Sequence, residues 1–279
     1  MGPAELAGPR LEAYALSEAL MIDIGANLAN KAFHADFDAV IERAVASGVT
    51  RMIVTGTSES ESQAAHALAK QHPDLLSSTA GVHPHDAKSV TDLNLPILRE
   101  LAAHPGVVAI GECGLDYNRD FSPRDVQREV FAAQVELACE LQLPLFLHER
   151  DAHEDFLRIL TEPADRLPPA VVHCFTGERD ALMAYIEAGT YIGITGWICD
   201  ERRGEHLREL VKLIPSDRLL VETDCPYLAP RNMRPKAPKG RNEPAFLGHI
   251  VQDVAGCLGV DVEALAAQTT ANAERFFQL

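Results

Sequence analysis

The sequence predicts an α/β fold in which eight strands alternate with helices in one domain, and three observations predict it. Short, β-branched apolar runs recur eight times between residues 21 and 224. Stretches of helical period lie between them and often close on glycine. No low-complexity tract or hinge-like linker interrupts 21–279. Eight such units over about 250 residues point to a (β/α)8 TIM-type barrel as a single domain. A doubly wound open sheet is the runner-up, because strand closure leaves no mark on a linear sequence.

In chain order, MIDIGANL (21–28) opens the series. DFDAVIERAVASG (36–48) follows as an amphipathic helix, with Phe37, Val40, Ile41 and Val45 near one face and Gly48 at its end. RMIVTGT (51–57), LSSTAGVH (76–83) and VVAIGECG (107–114) are the next strand runs. RDVQREVFAAQVELACELQL (124–143) is the longest helical stretch, with Val126, Val130, Val135 and Leu137 on a broad apolar stripe. LPLFLHE (143–149) and AVVHCF (170–175) precede the helix ERDALMAYIEAG (178–189), which again ends in glycine. YIGITG (191–196) and RLLVETD (218–224) complete the eight.

The totals bound the function. An apolar fraction of 47% with 24% charged residues is that of a globular chain with a sizeable core. No apolar run approaches the roughly 18 residues of a membrane span. Residues 1–20 lack a basic start followed by a long apolar core and so make a poor signal peptide. They read as a poorly ordered N-terminal extension, with Met21 as the functional start of a domain running 21–279. The six cysteines are scattered without a C-x-x-C pair, which argues against a zinc ribbon or disulfide framework and for a reducing cytoplasm. The net charge of −16 weighs against a broad nucleic-acid-binding face. One local exception is RNMRPKAPKGR (231–241), with five basic residues and no acid. Proline and glycine make it a loop. Following Asp224 so closely, it is expected over the same barrel mouth, in contact with phosphate.

Strand ends carry the chemistry. In such a barrel the loops leaving the C-terminal ends of the strands build the active site. Asp23 and Asn27 follow strand one, His83 and His85 strand three, and Glu112 strand four; His148, His173 and Asp224 follow strands five, six and eight. Singly, each is more often a packed structural group. Together, buried carboxylates and imidazoles aimed at one mouth need a positive partner. A divalent cation is such a partner, and mixed carboxylate and imidazole ligands suit zinc, manganese, iron or magnesium. His83 and His85, at i, i+2 in GVHPHD, would share a face on a strand and meet phosphate or a second metal. Asp224 would ligate the metal or take a proton from attacking water. Cys113, Cys174 and Cys225 each follow a candidate by one position, so alternation should turn them into the core. His66, His72, His104, His206 and His249 read as surface residues, and His153 as a solvated helix start.

These residues also resemble a known family. DIGANL (23–28), AGVHPHD (80–86), IGECGLDYNR (110–119), FLHERDAHE (146–154), VVHCFTG (171–177), YIGITGWICDERRG (191–204), ETDCPYL (222–228) and RNEPAFL (241–247) are similar, in order, to motifs of the TatD-type metal-dependent deoxyribonucleases. That family lies within the metallo-dependent hydrolase barrels. The likeness is greatest to the branch that names the family, chiefly through DIGANL and GWICDERRG. It implies hydrolysis of phosphodiester bonds with a divalent cation, magnesium ahead of manganese or zinc. The substrate it implies is single-stranded DNA, and RNA as well, degraded 3′ to 5′ by a cytoplasmic monomer without a membrane partner, in DNA repair or degradation. Carried over by residue, Glu112, His148 and His173 would be metal ligands and Asp224 the catalytic or ligating aspartate. His83 and His85 would bind substrate at the scissile phosphate.

One departure sharpens the expectation. Many members of the wider superfamily carry an H-x-H pair after strand one that helps hold two metals, and the corresponding residues are Gly25 and Asn27. The resemblance then implies one tightly held metal, with a second arriving alongside substrate. Glu112 also stands where many amidohydrolases have a carbamylated lysine, which disfavours a small-molecule amidase. An esterase or amidohydrolase of small molecules remains the alternative, ahead of a non-catalytic nucleic-acid-binding protein.

Overall fold

The computed structural model describes residues 20–279, so the extension expected over 1–19 lies outside the described residues. All eight expected strands form: β1 (Met21–Ala26), β2 (Val49–Val54), β3 (Leu76–Ala80), β4 (Val107–Asp116), β5 (Leu145–Arg150), β6 (Ala170–Val172), β7 (Tyr191–Ile194) and β8 (Leu219–Val221). They are parallel and lie in the order β1 to β8. A doubly wound sheet would reverse direction at a switch point, so this order excludes the runner-up. The helices are α1 (Phe37–Ala46), α2 (Glu59–Gln71), α3 (Pro96–Ala102), α4 (Arg124–Leu141), α5 (His153–Thr161), α6 (Arg179–Glu187), α7 (Glu205–Leu210), α8 (Leu247–Leu258) and α9 (Val262–Phe277). α1, α4 and α6 match the three stretches read from periodicity. One detail differs: Val45 faces solvent, and Ala44 takes the buried position on α1.

The strands are buried on both faces, which is why they read as continuous apolar runs rather than alternating ones. Outside the barrel they pack against the helices in one large core. Inside, Ile22, Ile24, Ile53, Phe146, Val171 and Leu220 meet one another. Phe276 and Phe277 of α9 belong to that inner cluster, and Phe276 stands edge-on to Tyr191, the first residue of β7, at 4.9 Å. α9 thus closes the N-terminal end, leaving the other end open for loops.

Closure of β8 onto β1 rests on few contacts. Asp224 N donates to Gly25 O at 2.8 Å and Asn27 N to Cys225 O at 2.9 Å, around an isolated parallel bridge between Ala26 and Cys225. Asp23 adds a side-chain clasp. Its Oδ1 accepts from Thr223 N at 2.9 Å, and its Oδ2 accepts from the Thr223 hydroxyl at 2.5 Å. Asp23 therefore lies inside β1 and is fully buried, rather than at the mouth where the sequence placed it.

Burial is the largest influence on Asp23 and pushes its carboxyl up to about 7, against the Thr223 hydrogen bonds that lower it. A carboxyl raised on folding contributes stability below its unfolded value that is lost as pH rises towards its folded value. The contribution of Asp23 to stability should therefore fall between about pH 4 and 7, by at most roughly 4 kcal/mol, while His83, lowered to about 4, works in the opposite direction over part of that range. Asp23→Asn keeps an acceptor for Thr223 N and should flatten that fall, read by urea unfolding of chelated protein at several pH values. A variant with the wild-type slope would remove Asp23 as its source.

Candidate metal centre

β4 delivers Glu112 by a local irregularity. Gly111 pairs with Phe146 and Cys113 with Leu147, so Glu112 is an extra residue on β4 relative to β5. Such a bulge re-aims a side chain and steepens the local twist. Gly111 and Gly114 make it feasible: both have positive φ, 143° and 145°. A Cβ on either would lie about 2 Å from a carbonyl oxygen of β5, Phe146 O or His148 O. The GECG pattern is therefore the local requirement for turning Glu112 inward.

Three imidazoles converge on a single oxygen, Glu112 Oε1. His173 Nε2 lies at 2.7 Å, His148 Nδ1 at 3.1 Å and His83 Nε2 at 3.3 Å. They come from the ends of β6, β5 and β3. His83 and His85 do not share a strand face as expected. His83 instead caps the 3-10 turn Pro84–Ser89, its Nδ1 accepting from His85 N at 3.2 Å, which leaves Nε2 to carry the proton towards Glu112. His85 turns aside, its Nε2 2.7 Å from Asp116 Oδ2. The two rings meet edge to face at 4.2 Å. Asp224 lines the same cleft, half-buried, with its Oδ1 accepting from Asn27 Nδ2 at 2.9 Å.

Two carboxylates were not assigned roles from sequence. Asp116, two residues beyond Gly114, holds His85 and lies 3.4 Å from His148 Nε2. Its other oxygen accepts from the backbone of Asn118 and Arg119. Glu222 is fully buried, with Oε2 at 3.2 Å from His173 Nδ1 and Oε1 accepting from Cys174 N at 2.6 Å. Its space exists because of two distant glycines. A Cβ on Gly25 would lie 2.1 Å from Glu222 Oε2, and one on Gly193 would lie 2.6 Å from Oε1. Gly25 is the first of the two positions where the superfamily's H-x-H pair is missing, so Glu222 occupies room a side chain there would need.

Charge follows from these contacts. Burial alone would push the Glu112 carboxyl up, but His173 and His83 and the bonds from His148 and His173 hold it well below its usual range. Burial lowers His148, yet Asp116 and Glu112 outweigh it and raise the imidazole to about 8. His173 is likewise raised well above its ordinary value against burial, by Glu112 and Glu222. His83 goes the other way, lowered by burial to about 4. Asp224 is raised to about 8, first by burial and then by the Glu112 and Glu222 charges, with His173 and Asn27 opposing. Asp116 is held far below normal: burial, which raises it, loses to His148, His85 and the Arg119 amide.

This donor set fits a divalent cation. His148 Nε2 is buried without a hydrogen-bond partner, although Asp116 is near. Ligand atoms of His83, Glu112 and His148 lie within 4.8 Å of one another, and His173 joins them through Glu112 Oε1. Protons held on His148 and His173 stand where positive charge is wanted. Glu222 supplies the carboxylate that commonly orients a metal-bound histidine through its other nitrogen.

The cleft around this set, about 700 Å³, opens at the C-terminal ends of the strands. Arg119, Phe121 and Tyr227 line it, and no residue of 231–241 does. Two of the loop's five basic residues pair with acids elsewhere. Arg241 pairs with Asp36 at 2.7 Å, and Arg231 faces Asp200 at 3.4 Å. Lys236 and Lys239 line a neighbouring cavity instead. Cys113 and Cys225 are core residues as expected, but Cys174 lines the cleft, because β6 has ended and its φ is +44°. His153 starts α5 as expected, yet packs against Tyr185 at 5.0 Å.

A closed (β/α)8 barrel with a carboxylate–imidazole set converging at its C-terminal mouth defines a divalent-metal hydrolase. The comparisons narrow the class. Residues 22–278 match the model of the TatD related DNase family, and the chain belongs to that family. It is 56% identical over 259 residues to a protein of Erwinia tasmaniensis named 3′-5′ ssDNA/RNA exonuclease TatD, covering 93% of this chain and 100% of that one. A protein of the same name from Salmonella typhimurium is 51% identical over 259 residues, covering 93% and 99%. Among solved structures, the TatD homologue YJJV of Escherichia coli superposes with a TM-score of 0.84 at 26% identity, covering 93% of this chain and 98% of that one. A TatD family hydrolase of Entamoeba histolytica gives 0.83 at 26%, covering 94% and 99%.

Glu112→Gln should weaken divalent-metal binding by more than the roughly 100-fold typical of losing an outer partner. Glu222→Gln, whose amide fits between Gly25 and Gly193, should cost about 10- to 100-fold while leaving the fold intact. Metal titration followed by thermal shift reads both. Unchanged affinity in Glu112→Gln would disqualify the centre.

Proposed function

We propose that this protein is a divalent-metal-dependent 3′-to-5′ exonuclease acting on single-stranded DNA and RNA, a cytoplasmic monomer that uses magnesium in preference to manganese or zinc. The observation that carries the reading is the convergence of Glu112, His148, His173 and His83 in an open cleft, in a chain more than half identical to proteins named for this activity. The six free cysteines accord with a reducing compartment. No helix among the described residues is long and apolar enough to cross a membrane.

Glu112, His148 and His173 would hold the ion, with Asp224 completing the set or facing the attacking water. The bound cation would polarise a phosphoryl oxygen and lower the pKa of water. Asn27 holds Asp224 Oδ1, which leaves Oδ2 as the atom to orient the water and take its proton. Water oxygen forms a bond to phosphorus while the bond from phosphorus to the 3′ oxygen of the shortened strand breaks. That oxygen takes a proton from solvent, and the phosphate leaves with the terminal nucleotide. His83 and His85 meet the phosphoryl oxygens, His85 being fixed for that task by Asp116.

Two exposed aromatics support a single-stranded substrate. Phe121, 55% exposed, and Tyr227, 54% exposed, both line the cleft. Phe121 leans on His85 at 4.7 Å, and the Tyr227 hydroxyl accepts from Asn30 at 3.2 Å. Unstacked bases supply the faces such rings bind, each worth about 1–3 kcal/mol.

The central experiment incubates end-labelled single-stranded DNA or RNA with chelated protein and restores magnesium, manganese or zinc separately. Stepwise shortening from the 3′ end, returning first with magnesium, is expected. Metal-independent cleavage, or turnover of a small ester but no polynucleotide, would overturn the reading. Phe121→Ala and Tyr227→Ala should each raise KM for an oligonucleotide about 10-fold, with kcat on a base-free phosphodiester unchanged. Equal losses on both substrates would remove the stacking role.

A further inference from the structure

A second set of metal donors lies outside the barrel mouth. Cys199 ends the 3-10 turn Gly196–Cys199 that follows β7, and this turn packs on α8. His249 and Asp253 project from α8 at i, i+4, the spacing that places two side chains on one helix face. One ligand atom from each of Cys199, His249 and Asp253 lies within 4.8 Å of the other two. Cys199 is 2% exposed, while the other two are half-buried and reachable. His249, expected from sequence at the surface, is half-buried, and nothing in the nuclease chemistry uses these residues.

A fourth residue organises the three. Asn232, in the basic loop, donates from Nδ2 to Asp253 Oδ2 at 2.6 Å. Its Oδ1 accepts from His249 Nε2 at 2.7 Å. That bond puts the imidazole proton on Nε2 and leaves Nδ1 with its lone pair, the arrangement in which histidine ligates metal. The Cys199 thiol stands beside Asp253, and burial first and then that carboxylate push its pKa up.

We infer that Cys199, His249 and Asp253 form a second metal site, selective for zinc or a similar borderline-soft divalent ion, with Asn232 as its outer-shell partner. Thiolate, imidazole and carboxylate together suit zinc, with a fourth position left to water. Ligand atoms in a tetrahedral zinc site stand about 3.5 Å apart, so the side chains draw in slightly on binding. Binding exchanges the thiol proton, released to solvent, for a metal–sulfur bond, with no redox change. The ion would tie the β7 loop and the basic loop to α8. The inference does not depend on the nuclease reading, because none of Cys199, His249 and Asp253 lines the cleft at the mouth.

The test uses the whole chain, stripped with chelator and titrated with cobalt(II), whose thiolate charge-transfer absorption reports a Co–S bond. The wild-type protein should develop that band with one equivalent bound at this site and release one proton as it does. Cys199→Ser should abolish the band; Cys174→Ser, at the other cleft, and Glu112→Gln should keep it. Asn232→Ala should weaken binding about 10- to 100-fold. Because Cys199 is buried, His249→Gln provides an independent variant, and it too should lose tight binding. Absence of the band in wild-type protein, or its persistence in Cys199→Ser or His249→Gln, would overturn the site.

Discussion

The arrangement of the mouth depends on one buried oxygen, Glu112 Oε1, within reach of three imidazoles. A carboxylate this far from water is costly unless positive or hydrogen-bonding partners surround it. Each partner comes from a different strand end, so the oxygen couples β3, β4, β5 and β6. The same convergence makes the set attractive to a cation, which satisfies all of these donors at once. Stability without metal and affinity for metal are two readings of one electrostatic demand.

Around that oxygen the chain spends small residues to place large charged ones. Gly111 and Gly114 let β4 bulge against β5. Gly25 and Gly193 vacate the volume that Glu222 fills behind His173. The missing first-strand histidine pair is thus coupled to a buried carboxylate on the far side of the closure. A chain with histidine at position 25 would have to move Glu222, and with it the orientation of His173.

Closure itself is economical. β8 and β1 meet through a single bridge, two flanking backbone bonds and the Asp23–Thr223 clasp. The segment after β8 leaves this seam carrying Asp224 and Tyr227 into the cleft, then departs as the basic loop. Its outer arginines are neutralised by Asp36, Glu243 and Asp200. Among the residues that line the cleft, the basic groups are Arg119 and the histidines, and none belongs to that loop.

The sequence by itself determined the eight strands, their alternation with helices and the placing of Glu112, His148, His173 and Asp224 at strand ends. Apolar runs of this kind have few other uses, and costly polar groups ending them stand out. It did not determine which of those groups touch. Asp116 and Glu222 were invisible as partners because their roles arise from residues 31 and 49 positions away in sequence. Asp23 looked like a mouth residue, since membership of β1 and the clasp to Thr223 are decided only when the barrel closes. The basic loop looked like a phosphate clamp, since the acids that neutralise Arg241 and Arg231 are distant in sequence. Local periodicity is written residue by residue, whereas the pairing of charges is a property of the closed barrel, where loops from every strand meet.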